Sequence, residues 1–291
     1  MIDIHAHTSN HPMKGLHTAD ATLPALKRMA QDAGVHRVIL MATYFPLKGT
    51  GVFNKDMLQR CGDDPFWRMC ASIDLTKDVS AGLDDLHWHL RQKQVVGIKL
   101  YPGYQNFHLA GPEAVSVYSV AKAYGVPVQV HMGALHHCCG FKYGTETRCG
   151  RNFCPLDGQQ HLSHPNCLAS ALELFPEVPF IACHLGYPYM KELKALMDKH
   201  LNLYTDTGGI IRSGDPLDDT ELERQQMANE LTDIINGVPD GRWRVMMATD
   251  FPIQSYASTM DILDRMHLTA HERQLLTNDN AMAVFGPNLG D

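Results

Sequence analysis

The sequence predicts a (β/α)8 barrel. Eight short apolar segments rich in β-branched residues alternate with segments of helical spacing along 291 residues, and near-continuous apolar strands of this kind suit a parallel sheet covered on both faces. Eight such units in a chain of this length fit a closed barrel better than an open sheet. A third observation is positional: residues with metal-ligand chemistry stand at the C-terminal ends of four strands, where a parallel barrel carries its active site.

The elements follow in order. Residues 2 to 6 form the first strand, and residues 36 to 42, 67 to 73 and 95 to 101 the next three. Residues 126 to 131, 179 to 184, 201 to 206 and 243 to 249 supply the remaining four. Residues 20 to 33, 78 to 93, 113 to 124, 187 to 199 and 255 to 266 have helical spacing. Two helix starts read as capping boxes, Thr220 with Glu223 and Thr269 with Glu272. The second opens a closing helix that carries Leu275, Leu276, Ala281, Val284 and Phe285 until Gly286 and Pro287 stop it. No linker, repeat or low-complexity tract interrupts the pattern, so residues 1–291 are expected to form one domain. Residues 134 to 166 are the exception, a Gly-, His- and Cys-rich connection of a length that is usually functional or disordered.

Composition narrows the function classes. A hydrophobic content of 44% with 20% charged residues is ordinary for a soluble domain. The net charge of −7, without any Lys or Arg run, argues against nucleic acid. No apolar stretch approaches the roughly 18 residues of a membrane span. A strand starting at residue 2 leaves no room for a secretory leader, so a cytoplasmic location with eight reduced cysteines is expected. The expected partner is a small-molecule substrate, with homo-oligomerisation an open option.

In Asp3-Ile4-His5-Ala6-His7, side chains two apart on a regular strand project to one side, so His5 and His7 can grip one ion and Asp3 shares their face. His131, His184 and Asp250 close strands five, six and eight. Taken singly these signals are weak: a His-x-His pair is often two ordinary polar residues, and a histidine after an apolar run is often a satisfied core residue. Four strand ends carrying them together are hard to explain that way. Imidazole and carboxylate ligands with an open position suit Zn²⁺, with Mn²⁺ or Fe²⁺ as alternatives; one ion is expected, two being the other option. Such an ion brings the pKa of a bound water to roughly 7 and polarises a carbonyl. A neighbouring aspartate can then take a proton and a histidine can give one to a leaving group. His11, His17, His108 and His161 read as surface residues, and Cys70 and Cys183 as small apolar strand residues.

The chain resembles the amidohydrolase superfamily, in particular the amidohydrolase-related group of metal-dependent barrels. The resemblance runs nearly end to end through Asp3-Ile4-His5-Ala6-His7, Gly97-Ile98-Lys99-Leu100-Tyr101-Pro102, Val130-His131-Met132-Gly133, His164-Pro165, Ala182-Cys183-His184-Leu185-Gly186, Asp206-Thr207-Gly208-Gly209, Ala248-Thr249-Asp250-Phe251-Pro252 and Asn280-Ala281. It implies metal ligation by His5, His7, His131 and Asp250, with His184 either an acid/base residue or a ligand of a second ion. It also implies a hydrolase of a C–N or C–O bond in a small amide, lactone or ester. A nonoxidative decarboxylase or hydratase on the same metal site is the alternative. Asp250 would activate the water, assisted by His184 or Lys99. The segment from Lys99 to Pro102 is similar to that of dihydroorotases, whose lysine is carboxylated and bridges two metals, and also to one-ion members with an unmodified lysine that orients substrate or pairs with a carboxylate. Tyr101 beside it is a candidate substrate contact.

The connection after strand five holds His136, His137, Cys138, Cys139, Cys149 and Cys154. These could bind a structural zinc or an iron–sulfur cluster, stay reduced, or form a redox pair. They lack the paired Cys-x2-Cys knuckles of a strong metal motif and are left out of the ligand set. Arg148 and Arg151 can clamp a substrate carboxylate, or simply offset Glu146 and Asp157. A barrel that binds a metal or ligand without turnover is the reading from a different class; intact His5, His7, His131 and Asp250 argue against it.

Overall fold

The computed structural model describes residues 1–8, 21–49, 51–136, 154–215 and 217–290. The eight predicted strands are β1 (Ile2–Ala6), β2 (Arg37–Met41), β3 (Trp67–Ser72), β4 (Val95–Leu100), β5 (Val128–Val130), β6 (Phe180–Ala182), β7 (Leu203–Asp206) and β8 (Val245–Met246). They pair in parallel in chain order. The ring closes where Ile4 N–H donates to Met247 C=O at 3.1 Å and Asp250 N–H to His5 C=O at 2.7 Å, so the expected (β/α)8 barrel is present.

The predicted helices are found at Leu23–Asp32, Val79–His89, Pro112–Tyr124, Met190–Met197 and Tyr256–Arg265. A helix at Asn54–Cys61 was not expected, because eight polar-rich residues give barely two turns of periodicity. Thr269 and Glu272 form a full reciprocal capping box. At Thr220, which caps Glu221–Gly237, the hydroxyl accepts the Glu223 N–H at 3.2 Å, while the Glu223 carboxylate meets that same hydroxyl. The closing helix is interrupted by a wider turn at Leu275–Asp279 before resuming at Asn280–Phe285. Among the described residues no helix is long and apolar enough to cross a membrane.

Alternating strand residues divide between two apolar cores. Val38, Leu40, Met69, Ala71, Ile98, Leu100, Val128 and Val130 pack outward against the helices. Ile2, Ile4, Ile39, Met41, Cys70, Val96, Ile181, Met246 and Ala248 fill the lumen, closed below by Ala281, Phe285 and Leu289 of the C-terminal segment. Gln129 of β5 reaches across to donate to the Ile4 carbonyl at 2.9 Å.

Two bulges re-aim the residues above that core. Asp3 pairs with Val38 and Ala6 with Leu40, so Ile4 and His5 together oppose Ile39. The extra residue lets both turn inward. The expectation that Asp3 shares the face of His5 is therefore overturned: Asp3 points outward, accepting from Thr249 Oγ1 at 2.6 Å and Tyr256 OH at 2.8 Å. On β4, Met69 pairs with Val95 but Cys70 with Gly97, a second shift that aims Lys99 inward. A Cβ at Gly97 would lie 3.0 Å from Cys70 Sγ and 3.2 Å from the Pro127 carbonyl, which accounts for glycine at this crowded position.

Candidate metal centre

His5, His7 and Asp250 converge at the open end of the barrel. His5 Nε2 lies 3.3 Å and His7 Nε2 3.1 Å from Asp250 Oδ1. Ligand atoms bonded to one ion at about 2.0–2.2 Å stand at such separations from each other, so this trio fits a metal. His5 is fully buried, whereas the side chains of His7 and Asp250 are 22% and 13% exposed and face the mouth.

Hydrogen bonds fix which ring nitrogens are free. His5 Nδ1 faces Asp206 Oδ2 at 3.1 Å, His131 Nε2 faces the Ala134 carbonyl at 3.0 Å, and His184 Nδ1 faces the Gly208 carbonyl at 2.8 Å. Those partners can only accept, so each of these nitrogens carries the hydrogen and the opposite one presents a lone pair. Burial first, then the charge of neighbouring groups, pushes the pKa of His5 and His131 well below the usual histidine range. Neutral rings with inward lone pairs are metal-ligand chemistry. His131 Nδ1 and His184 Nε2 meet at 3.1 Å; two lone pairs at that distance need a proton or a cation between them.

The backbone is strained where these groups sit. His184 and Asp250 have φ of 64° and 52°, a conformation that costs non-glycine residues and clusters at functional sites. Burial would raise the Asp250 pKa, but His184, His5 and His7 outweigh it and hold the carboxyl well below its usual range. Gly209 (φ 64°) leaves the space between them open: a Cβ there would lie 2.6 Å from Asp250 Oδ2 and 2.8 Å from His184 Nδ1.

The other predicted residues fall around this trio. His131 joins it through His184, outside the spacing of the trio itself. Lys99 Nζ is 3.4 Å from His5 Nε2 and 2.8 Å from Cys183 Sγ. Tyr101 is buried, its ring beside Lys99 and its hydroxyl donating to the Ala42 carbonyl at 3.0 Å. Cys183 does not behave as the apolar residue expected, since its thiol meets Lys99 and lies within 4.8 Å of ring nitrogens of His5 and His184. Cys70 packs in the lumen as expected, and His108 and His161 are exposed. Arg148, Arg151, His11, His17, His137, Cys138, Cys139 and Cys149 lie outside the described residues. Cys154 is half-buried beside an apolar cluster of Tyr101, Tyr104, Leu135 and Leu156.

Sequence reasoning passed over Asp206. Fully buried, its Oδ2 takes His5 Nδ1–H and its Oδ1 takes the His184 backbone N–H at 2.8 Å, so one carboxylate orients two site histidines. Its place at a strand end was the available signal.

A family model described as amidohydrolase matches residues 2–286. The chain belongs to the amidohydrolase family. Solved structures agree in fold. A TIM-barrel protein from Bordetella bronchiseptica superposes with a TM-score of 0.73 at 12% identity, over 100% of this chain and 99% of the other. A dihydroxybenzoic acid decarboxylase from Polaromonas sp. JS666, with bound manganese and the inhibitor 2-nitroresorcinol, gives 0.66 at 14% over 100% and 99%. An amidohydrolase from Burkholderia multivorans with bound zinc gives 0.65 at 14% over 98% of each chain. No curated protein matches by sequence.

Proposed function

We propose that this amidohydrolase is a metal-dependent hydrolase of an amide, lactone or ester bond in a small carboxylated substrate. The carrying observation is the trio of His5 Nε2, His7 Nε2 and Asp250 Oδ1, spaced as ligands of one ion and backed by the Asp206 carboxylate. His5, His7 and Asp250 would hold the ion, with His131 completing the set through its inward Nδ1. A bound divalent ion, zinc or manganese, supplies a water acidic enough to ionise near neutral pH and polarises the substrate carbonyl. Asp250, ionised and partly exposed, takes the proton of the attacking water. With His131 Nδ1 turned to the ion, His184 Nε2 is free to carry a proton and deliver it to the leaving group. Lys99 orients a substrate oxygen from below, and Tyr101 holds Lys99 in place. Arg148 and Arg151 clamp the substrate carboxylate.

Decarboxylation is the second reading, favoured by His184 Nε2, where a proton held toward His131 can be delivered to carbon as well as to nitrogen or oxygen. Screening carboxylated aromatic, lactone and amide compounds for released CO2 against hydrolysed product separates the two. Elemental analysis tests the shared premise: about one transition metal per chain is expected, and a folded His5→Ala, His7→Ala protein should lose it. Undiminished metal in that protein would place the ion elsewhere.

A further inference from the structure

Lys99 from β4 and Cys183, immediately after β6, meet inside the barrel, both fully buried. Their contact of 2.8 Å between Nζ and Sγ is far shorter than the other polar contacts of the thiol, 3.8 Å to Gln129 Oε1 and 3.9 Å to the Ile181 carbonyl. The five described cysteines are free thiols. Oxidation at a cysteine sulfur can end in a covalent link to a neighbouring thiol or nitrogen. For Cys183 that neighbour is the lysine amine, at a separation that one bridging atom spans.

We propose that Lys99 and Cys183 are a covalent modification site: under oxidising conditions they join through a nitrogen–oxygen–sulfur bridge. With dioxygen as oxidant, the S–H bond and one N–H bond are replaced by S–O and N–O bonds to a single oxygen atom. The second oxygen atom leaves as water with the two displaced hydrogens. Sulfur and nitrogen each give up two electrons, and dioxygen takes the four. The reacting form is the free amine, an ammonium first releasing a proton to solvent, and the bridge ties that nitrogen, now 3.4 Å from His5 Nε2, to Cys183, so Lys99 can neither orient substrate nor be carboxylated while it persists. Two equivalents of a dithiol supply the four electrons that restore both side chains.

Peptide mapping by mass spectrometry of the full-length protein, aerated and then divided into samples with and without excess dithiol, reads the bridge without a substrate. The expected result is a joined pair of peptides containing Lys99 and Cys183, heavier than their sum by one oxygen and lighter by two hydrogens. Tryptic cleavage after Lys99 should be blocked, and dithiol should reverse both effects. Cys183→Ser and Lys99→Met should each abolish the product; if either fails to fold, the paired wild-type samples carry the test. Separate unmodified peptides after prolonged aeration would overturn the proposal. So would recovery of Cys183 as a sulfinic acid, as a disulfide, or as a metal-bound thiolate that resists oxidation.

Discussion

The barrel interior has two halves built on opposite principles. The lower half, from Ile2 and Ile39 down to Phe285 and Leu289, is apolar and held by packing. The upper half places Lys99, His5, Asp206 and Cys183 out of contact with water and holds them by directed hydrogen bonds. The lower half uses regular alternation. The upper half needs two bulges and two strained residues to aim its groups. Buried polar groups are costly unless each is paired, so the upper half is expected to govern chemistry and metal content while the lower half governs stability.

The largest effect should come from the upper half. Asp250→Asn keeps the shape and loses the base, and turnover of whichever substrate the screen identifies should fall by about 10²–10⁴-fold, the usual loss for a general base. Its thermal stability should change little beside that. Activity within about tenfold of wild type would move the base to another group. In the lower half, Phe285→Ala leaves a cavity under the strands and should cost about 3–5 kcal/mol in denaturant unfolding, with metal bound as before in the folded fraction. Metal loss at unchanged stability would erase the distinction between the halves.

These halves were unequally legible in the sequence. All eight strands are readable because short segments rich in apolar and β-branched residues alternate with segments of helical spacing, and the strand-end rule singles out His5, His7, His131, His184 and Asp250 without any geometry. Bulges defeated the finer reading. A strict two-residue period puts Asp3 with His5, and nothing in Ile4-His5 announces that one extra residue has entered the register; for β4 the signal was present, a glycine at position 97 within a strand. Asp206 opens the Asp206-Thr207-Gly208-Gly209 motif, but an aspartate that orients a ligand looks in sequence like any polar residue at a strand end. The Lys99–Cys183 contact joins residues 84 positions apart on strands that are not neighbours, beyond the reach of local pattern.

Asp3 tests the boundary from outside the lumen. Burial, opposed by bonds from Thr249, His5 and Tyr256, lifts its pKa from 3.8 to about 6. Between about pH 4 and 6 the folded state therefore holds a proton that the unfolded chain has released. Its contribution is fully present below about pH 4 and is lost as pH rises through about 6, a change of roughly 2–3 kcal/mol for a shift of about two units. Asp3→Asn should flatten that part of the stability–pH curve. A curve that is unaltered between pH 4 and 7 would show that Asp3 stays ionised throughout.

The smallest effect separates orientation from ligation. Asp206 does not face the ion site, yet it sets the hydrogen on His5 Nδ1 and so leaves the Nε2 lone pair beside Asp250. In Asp206→Asn the amide oxygen can still accept the backbone N–H groups of His184 and Gly208, now 2.8 and 3.2 Å away. The amide nitrogen is then left facing His5 Nδ1. Because that nitrogen donates, His5 must move its hydrogen to Nε2, where it blocks the ligand position. Metal affinity should fall by about 10–100-fold, as for other residues that orient a metal-binding histidine, with the unfolding midpoint of the metal-free protein nearly unchanged. A Kd for zinc equal to wild type in a folded Asp206→Asn protein would mean that His5 keeps its tautomer without Asp206, and the upper half would then be held by fewer directed bonds than its geometry implies.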